Sequence, residues 1–293
     1  MRLDLLGVRG STAAPGAQFV RYGGHTSCIA VSADGEHHPS LVLDAGTGLR
    51  SLTARLGGRP YSGAVLLSHL HWDHVQGLPF FAAGDRDDAR VHLLLPAQDG
   101  RSGRDLLAQT LSPPAFPIPP EGLRGDWTFT ALPEGTCVVE GFTVTSVDAT
   151  HKGGRTLAHR VERDGASVVY LPDHAPAAGV SAELRELLRG VDVLVHDAQF
   201  LESERPVAVD YGHSTVQDAV ALAVESGAGT LLLFHHAPTR SDDALDEIGR
   251  WAADIAPDLR VLVAREGAVL DVLPAQSRSG TRSGSEEPVH LRT

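Results

Sequence analysis

The chain has 293 residues, of which 42% are hydrophobic and 21% are charged, as in a globular protein and unlike a disordered one. Its 25 Lys and Arg residues against 37 Asp and Glu residues give a formal charge of −12. We therefore expect dedicated tRNA or DNA binding to be absent, because proteins that bind nucleic acid usually carry a basic patch.

Other features of the sequence limit where the protein can be located and how its cysteines can be used. The N-terminus, Met1 to Gly10, lacks the apolar core of a signal peptide, and no apolar run approaches the roughly 18 residues of a membrane helix. We expect a cytoplasmic protein without a membrane partner. Cys28 and Cys137 are too few for a disulfide framework or a cysteine-rich zinc knuckle.

The first half of the chain alternates short apolar runs with turn signals. These runs predict strands at Leu3 to Val8, Ser27 to Ser32, Ser40 to Asp44, Ala64 to Ser68 and Val91 to Leu95. Helices are predicted at Leu49 to Leu56 and Arg104 to Leu111. The proline-rich segment Ser112 to Pro120 is predicted to be an irregular loop that serves as a lid or a pocket wall.

The second half repeats this organisation. Strands are predicted at Phe142 to Val147, Thr156 to Glu162, Ser167 to Leu171, Val191 to Val195, Leu231 to Phe234 and Arg260 to Val263. Helices are predicted at Ala182 to Leu188, Ser214 to Ser226 and Asp242 to Ile255. We expect Ser214 and Gln217 to form a capping box at the start of the second of these helices.

Strands followed by helices in both halves predict an α/β fold. We expect an αββα sandwich, in which two mixed β-sheets pack face to face with helices on the outside. The sequence predicts one domain over residues 1–275. From Gln276 onward the composition becomes polar, and residues 276–293 are expected to form a disordered tail.

The segment His69-Leu70-His71-Trp72-Asp73-His74 follows a buried apolar strand and is the strongest chemical signal. His69 and His71 alternate on an extended chain, so their side chains point the same way. Asp73 and His74 then turn toward a second position. Three imidazoles and a carboxylate within six residues suit zinc or a similar borderline metal better than they suit a core.

Six residues supply too few ligands for two metal ions, so further ligands are expected at other strand ends. His151, Asp173 and His235 each follow a predicted strand, where a sandwich fold presents side chains at one sheet edge. With Asp44 in Leu43-Asp44-Ala45-Gly46, the order of these motifs resembles the metallo-β-lactamase superfamily over residues 3 to 270. The resemblance implies the metallo-β-lactamase version of the αββα sandwich.

The resemblance also implies a dinuclear site with two divalent metal ions, zinc first, and manganese or iron as alternatives. Three histidines would hold one ion, namely His69, His71 and His151. An aspartate and two histidines would hold the other, namely Asp73, His74 and His235. The carboxylate of Asp173 bridges the two ions. Asp44 lies behind the ligands and orients one of their imidazoles.

The segment after residue 195 resembles a branch of this superfamily. Val195-His196-Asp197-Ala198-Gln199-Phe200, then Gly212-His213-Ser214-Thr215, follow the order seen in tRNA 3′-processing ribonuclease Z and its phosphodiesterase relatives. The resemblance implies that His213 acts near the leaving group. Three features depart from ribonuclease Z. A basic arm is missing, Phe234-His235-His236-Ala237-Pro238 stands in place of His-x-Ser-x-Arg-Tyr, and Tyr170 takes the place of a glutamate that pairs with the catalytic histidine. These departures favour a small phosphodiester over tRNA.

We therefore predict a dinuclear metal-dependent hydrolase, a phosphodiesterase for a small anionic substrate such as a cyclic nucleotide-like diester or a short nucleic-acid end. Asp73 is expected to orient the attacking water or accept its proton, and His213 to donate a proton to the leaving group. Two alternatives stay open: hydrolysis of an ester, thioester or lactone by the same metals, and a non-catalytic metal- or ligand-binding member. A homodimer is left open, as is whether His25 lines the pocket.

Overall fold

Residues 1–274, which this computed structural model describes, form two seven-stranded β-sheets packed face to face. The first sheet contains β1 (Arg2–Gly7), β2 (Cys28–Ser32), β3 (Leu41–Leu43), β4 (Ser62–Leu66), β5 (Arg90–Pro96), β6 (Asp126–Leu132) and β14 (Val269–Asp271). The second contains β7 (Gly135–Val139), β8 (Phe142–Ala149), β9 (Thr156–Arg163), β10 (Ala166–Leu171), β11 (Val193–Asp197), β12 (Thr230–Phe234) and β13 (Arg260–Val263). The predicted fold class is confirmed.

Short helices connect the strands of the first sheet, and longer ones those of the second. The former are α1 (Leu52–Arg55), α2 (Trp72–Val75) and α3 (Gly103–Leu107); the latter are α4 (Ala182–Leu188), α5 (Arg205–Tyr211), α6 (Val216–Ser226) and α7 (Asp242–Ile255). Within residues 1–274, none of the helices combines the length and the apolar character that a bilayer crossing requires. The predicted tail, residues 276–293, lies outside the described residues.

Three apolar layers hold the sandwich together. The middle layer lies between the sheets, where Leu3 and Leu5 of the first sheet meet Val144, Val168 and Phe234 of the second. Two further layers lie between each sheet and the helices that cover its outer face. Strands such as β10 are buried on both faces, which explains why their sequences are continuous apolar runs without alternation.

The strand directions bring many strand ends to one edge of the sandwich. Strands β3 to β6 run parallel in the first sheet, and β10 to β13 run parallel in the second. Strand β8 points the same way as β10, because both pair antiparallel with β9. We call the edge formed by the loops after β3, β4, β8, β10, β11 and β12 the carboxyl edge. Such edges are the usual location of ligand sites in α/β sheets.

The start of helix α6 differs from its prediction. The residue that caps the helix is Thr215, whose hydroxyl accepts a hydrogen bond from the Asp218 N–H at 3.2 Å. The Asp218 carboxylate in turn accepts the Thr215 N–H at 3.0 Å. The predicted capping box of Ser214 and Gln217 is wrong, because the Ser214 hydroxyl donates instead to the carbonyl of His174.

Candidate metal centre

The motif that follows β4 changes conformation halfway through, and this change separates its side chains into two groups. His71 is still extended, with φ −66° and ψ 153°, and is the residue before α2. Asp73 and His74 lie within the single turn of α2 and are buried. The extended half therefore presents His69 and His71 to one place, and the helical half presents Asp73 and His74 to another.

The first cluster joins His69, His71, His151 and Asp173, whose ligand atoms all lie within 4.8 Å of one another. The His151 Nε2 atom lies 3.2 Å from His71 Nδ1. One carboxylate oxygen, Asp173 Oδ2, is 3.5 Å from His69 Nε2 and 3.4 Å from His151 Nε2. The loops after β4, β8 and β10 thus contribute to a single group of donors.

The second cluster joins Asp73, His74 and His235. The Nε2 atoms of the two imidazoles are 3.3 Å apart, and Asp73 Oδ2 lies 3.2 Å from that of His74 and 3.1 Å from that of His235. The other oxygen of Asp173, Oδ1, lies 3.3 Å and 3.1 Å from the same two nitrogens. Asp173 therefore presents one oxygen to each cluster.

This donor set fits divalent cations. Imidazole nitrogens 3.2–3.3 Å apart face each other across both clusters, and His69 Nε2 and Asp173 Oδ1 are buried without a hydrogen-bond partner among the described residues. Burial, followed by the neighbouring His74, lowers the pKa of His69; burial also lowers those of His71 and His151. Neutral imidazoles with free lone pairs are the form that binds metal.

Asp44 fixes which nitrogen of His74 faces the cluster. Its carboxylate accepts a hydrogen bond from His74 Nδ1 at 2.6 Å and two bonds from the N–H and hydroxyl of Ser68, both at 2.7 Å. Tyr170, from the opposite sheet, donates its hydroxyl to the same carboxylate at 2.9 Å. Tyr170 thus supports Asp44, and the carboxylate beside His213 comes from elsewhere in the fold.

A backbone carbonyl orients the imidazole of His151. Its Nδ1 donates to the carbonyl of Gly212 at 2.6 Å, which leaves Nε2 free for the first cluster. Gly212 has φ +79°, and a Cβ there would lie 2.8 Å from the backbone nitrogen of Lys152. Glycine suits both this conformation and this close approach, so the residue before His213 also positions an imidazole of the first cluster.

His213 stands beside both clusters and pairs with Asp197. Its Nδ1 lies 2.9 Å from Asp197 Oδ2, and its ring centre is 4.9 Å from that of His151 and 5.2 Å from that of His235. Burial alone would lower the pKa of His213, but the Asp197 carboxylate outweighs it and raises this pKa to about 9. The Asp197 carboxylate therefore favours the protonated form of His213, whose remaining nitrogen is Nε2.

Asp197 lies in a motif that the sequence reveals but was not predicted to be a site residue, and the reason is a strand boundary. The predicted strand ended at Val195, whereas β11 runs to Asp197, which pairs with Phe234 in the sheet. Asp197 is completely buried, and its Oδ2 also accepts the N–H groups of His174 and Ser214 at 3.2 and 3.1 Å. The signal that located the other acidic residue, an aspartate after an apolar strand, was present here as well.

A loop near the N-terminus also contributes to the centre without a signal in the sequence. The Ser11 N–H donates to Asp73 Oδ2 at 2.6 Å, and Ser11 has a left-handed φ of 62°. Gln199 donates to the Ser11 hydroxyl at 3.0 Å. Gly10 packs so closely that a Cβ there would lie 2.4 Å from His235 Nδ1. The loop therefore holds both Asp73 and His235 in place.

The other histidines near the motif have different partners. His25 Nδ1 lies 3.3 Å from Thr47 Oγ1 and belongs to neither cluster within residues 1–274. The Nε2 of His236 donates to the carbonyl of Ala264 at 2.8 Å, so this ring is directed away from the clusters.

Comparisons with known proteins identify the family of this chain. A family model described as the beta-lactamase superfamily domain matches residues 40–236. Ribonuclease Z of Haloarcula marismortui is 27% identical over 312 residues, which cover 91% of this chain and 95% of that protein. Ribonuclease Z of Mycobacterium marinum is 30% identical over 225 residues, covering 68% and 76%. The metallo-beta-lactamase fold protein YhfI from Bacillus subtilis aligns with a TM-score of 0.68 at 21% identity, covering 92% and 99%.

The chain therefore belongs to the beta-lactamase superfamily, and it is a metal-dependent hydrolase. The predicted fold and the resemblance to this superfamily are confirmed. Its His and Asp clusters are able to hold metal ions.

One expectation drawn from the charge is wrong. The formal charge of −12 led us to expect that dedicated tRNA or DNA binding is absent, yet relatives across most of the chain are named Ribonuclease Z. Net charge is an average over the whole surface, whereas a nucleic acid meets only the charges around its binding site. The charge therefore gives no ground for restricting the partner to a small anion.

Proposed function

We propose that this protein is a phosphodiesterase that uses two divalent metal ions, zinc first, to hydrolyse phosphodiester bonds at nucleotides. His69, His71 and His151 would hold one ion, Asp73, His74 and His235 the other, and Asp173 would bridge them. The ions would lower the pKa of a water molecule and neutralise charge that develops on the phosphoryl oxygens. The cytoplasmic location stays a prediction.

The observation that carries the proposal is the pairing of His213 with Asp197 beside both clusters. A phosphodiester with an alkoxide leaving group needs a proton on its leaving oxygen, and Asp197, which raises the pKa of His213, favours the protonated ring that can supply it. Asp197 keeps the proton on the ring and fixes its orientation through Nδ1. Ester or lactone hydrolysis by the same metals would not require this arrangement.

Asp73 suits orientation better than proton acceptance. Burial would raise the pKa of Asp73, but the adjacent His74 and His235 imidazoles outweigh burial and hold it below its usual range. The Ser11 N–H stabilises the same ionised oxygen. We propose that Asp73 acts as a metal ligand and orients water, and that the proton leaves by another route.

Two substrate classes share this chemistry. The names of the relatives support the 3′ end of an RNA, whereas a cyclic nucleotide-like diester is the small substrate that the sequence analysis favours. Each presents one phosphodiester between a metal pair and a protonated histidine. Turnover of a 3′-extended tRNA precursor beside that of a cyclic nucleotide, by the same preparation, distinguishes them.

The first test uses two substrates. Bis(p-nitrophenyl) phosphate reports phosphodiesterase activity of the metal-reconstituted protein, and a dinucleoside monophosphate, whose alkoxide leaving group needs a proton, compares that protein with His213→Ala. General acid catalysis contributes about 10²–10⁴-fold, so we expect kcat to fall by that factor while the metal content stays at that of the wild type. His92→Ala is the matched control, because His92 lies on β5 and bonds to Thr130. In Asp197→Asn the alkaline limb of the kcat profile should move to lower pH.

Each outcome has a defined meaning. Turnover that is indifferent to His213→Ala would keep the metal site and remove the proposed role of His213. No turnover of any phosphodiester with two metal ions bound would reject the phosphodiesterase and favour ester or lactone substrates. Turnover of p-nitrophenyl acetate that exceeds that of the diester would point the same way.

A further inference from the structure

A cavity of about 350 Å³ lies on the far side of α2 from the metal-facing side chains. Trp72, between two of the candidate ligands in sequence, forms part of its wall and is 75% exposed. Phe80, on the other side, is 61% exposed, and Phe116 completes the aromatic lining. Large aromatic side chains exposed around one concave surface are typical of a binding site.

The geometry of α2 connects this cavity to the metal centre. Trp72, Val75 and Gln76 are spaced three and four residues apart and lie on one face of the turn. Asp73 and His74 occupy the other face and belong to the second cluster. A single turn of helix therefore separates the cavity from the candidate metals.

The proline-rich loop forms the opposite wall. Phe116 packs edge-to-face on Phe80, with ring centres 6.1 Å apart and an angle of 89° between the rings. Ala115 and Phe116 both line the cavity. Of the two roles that the sequence suggested for this loop, lid or pocket wall, the structure shows the second. The pocket that the loop borders is this cavity beside α2.

The chemistry of the lining selects among parts of a nucleotide. The residues that line the cavity are apolar or uncharged, so a phosphate would find no counter-charge there. The Gln76 and Gln109 amides offer both donors and acceptors, which suit the polar edge of a heterocycle. Aromatic side chains stack on the flat face of any base.

We propose that this cavity binds the nucleobase next to the phosphate that is cleaved, with Trp72 as the stacking platform. The inference rests on the proposed function and deepens it, since it makes the base a determinant of substrate choice. A protein segment is a poor occupant, because the volume is that of a small ligand and α2 leads directly into the metal centre.

The binding test does not depend on catalysis. Adenosine 5′-monophosphate and ribose 5-phosphate are titrated against the wild type, Trp72→Ala and Trp251→Ala, with tryptophan fluorescence as the readout. Trp251 is the matched control, because it is a half-exposed tryptophan on α7. We expect adenosine 5′-monophosphate to quench the wild type and Trp251→Ala, and to leave Trp72→Ala unchanged. Quenching that ribose 5-phosphate reproduces, or that survives Trp72→Ala, would overturn the proposal.

The second test compares two p-nitrophenyl diesters, thymidine 5′-(p-nitrophenyl phosphate) and methyl p-nitrophenyl phosphate. We expect the ratio of their kcat/KM values to fall at least tenfold in Trp72→Ala and in Phe116→Ala, and to stay unchanged in Trp251→Ala. An unchanged ratio with good turnover of both diesters would reject the base site and keep the phosphodiesterase. Absence of turnover with base-dependent quenching would reject the phosphodiesterase and keep the base site.

Discussion

Single residues set the position of the imidazole rings in the two clusters, and Gly10 is the clearest example. Any other residue would place a Cβ 2.4 Å from His235 Nδ1 and 2.5 Å from its Cε1, well inside contact distance. The His235 ring stacks between those of His74 and His213, with centres 5.3 and 5.2 Å away. A displaced His235 would therefore disturb both neighbours.

We predict that Gly10→Ala weakens metal binding at the second cluster by about tenfold or more, as is usual when a residue that positions a ligand is changed. Competition of zinc with a chromogenic chelator measures the two affinities separately. Thr12→Ala, an exposed change in the same loop, should bind as the wild type does. Wild-type affinity of Gly10→Ala at both sites would mean that His235 is not a ligand.

The buried His159 makes the free energy of unfolding depend on pH. This histidine is fully buried, its Nε2 donates to the carbonyl of Leu67 at 3.1 Å, and Ser146 bonds to its Nδ1 at 2.9 Å. Burial lowers the pKa of His159 to about 4, from an ordinary value of 6.5. The unfolded chain therefore takes up this proton at a higher pH than the folded one.

The neutral, buried His159 therefore contributes its full stabilisation of the fold above pH 6.5, and this contribution is lost as the pH falls toward 4. The pKa difference corresponds to about 3 kcal/mol of unfolding free energy. We predict that His159→Gln, which does not titrate, loses correspondingly less stability than the wild type between pH 7 and pH 4. Urea unfolding at a series of pH values measures both slopes, and parallel curves would contradict the assignment.

At the scale of elements, the site residues that could be predicted from the sequence are those that follow the end of a predicted strand. His69, His151, Asp173 and His235 each follow a predicted strand, so one rule located all of them. Asp197 was missed because β11 continues beyond its apolar run through His196 and Asp197. Both residues are buried and paired in the sheet, which the hydrophobic periodicity of the sequence does not reveal. Boundaries of this kind depend on neighbouring strands, which a local pattern does not contain.

Other elements were missed for related reasons. Strands β6 and β7 carry mostly partly exposed side chains and lie at the ends of their sheets, so their weak apolar pattern gave no prediction. Ser11 and Gly10 act through a backbone N–H and through the absence of a side chain, neither of which has a residue signature.

Helix α6 offers a test of the corrected cap. Removing the Thr215 hydroxyl leaves the Asp218 N–H without its partner, and such losses cost about 1 kcal/mol. We predict that Thr215→Ala lowers the unfolding free energy by this amount, whereas Gln217→Ala changes it little. Chemical denaturation of both variants provides the measurement. An equal or larger loss in Gln217→Ala would restore the cap that the sequence suggested.

At the scale of the whole molecule, the candidate ligands come from both sheets. The loop after β4 belongs to the first sheet, while His151, Asp173 and His235 follow strands of the second. Metal ions at the carboxyl edge would therefore connect the two layers of the sandwich. Because the clusters form only in the folded chain, metal binding and folding are linked.

We predict that zinc stabilises the fold by about 2.7 kcal/mol for each site when its concentration is 100 times the dissociation constant. Thermal unfolding with zinc, and then with excess chelator, should show a higher melting temperature in the first case. Asp173→Ala, which removes the shared carboxylate, should lose most of this difference. A melting temperature that does not respond to metal would mean that the clusters bind no cation.

The edge of the sandwich opposite the carboxyl edge is suited to tags and labels. Every candidate ligand lies at one end of the strands, so the turns at the other end, such as Asp34-Gly35 between β2 and β3, are remote from the chemistry. A Cβ at Gly35 would meet no atom within 4 Å, so there is space around this turn, while its φ of +75° means that the glycine itself should be kept. Lengthening such a loop costs little free energy, so an affinity tag or a fluorescent domain belongs there.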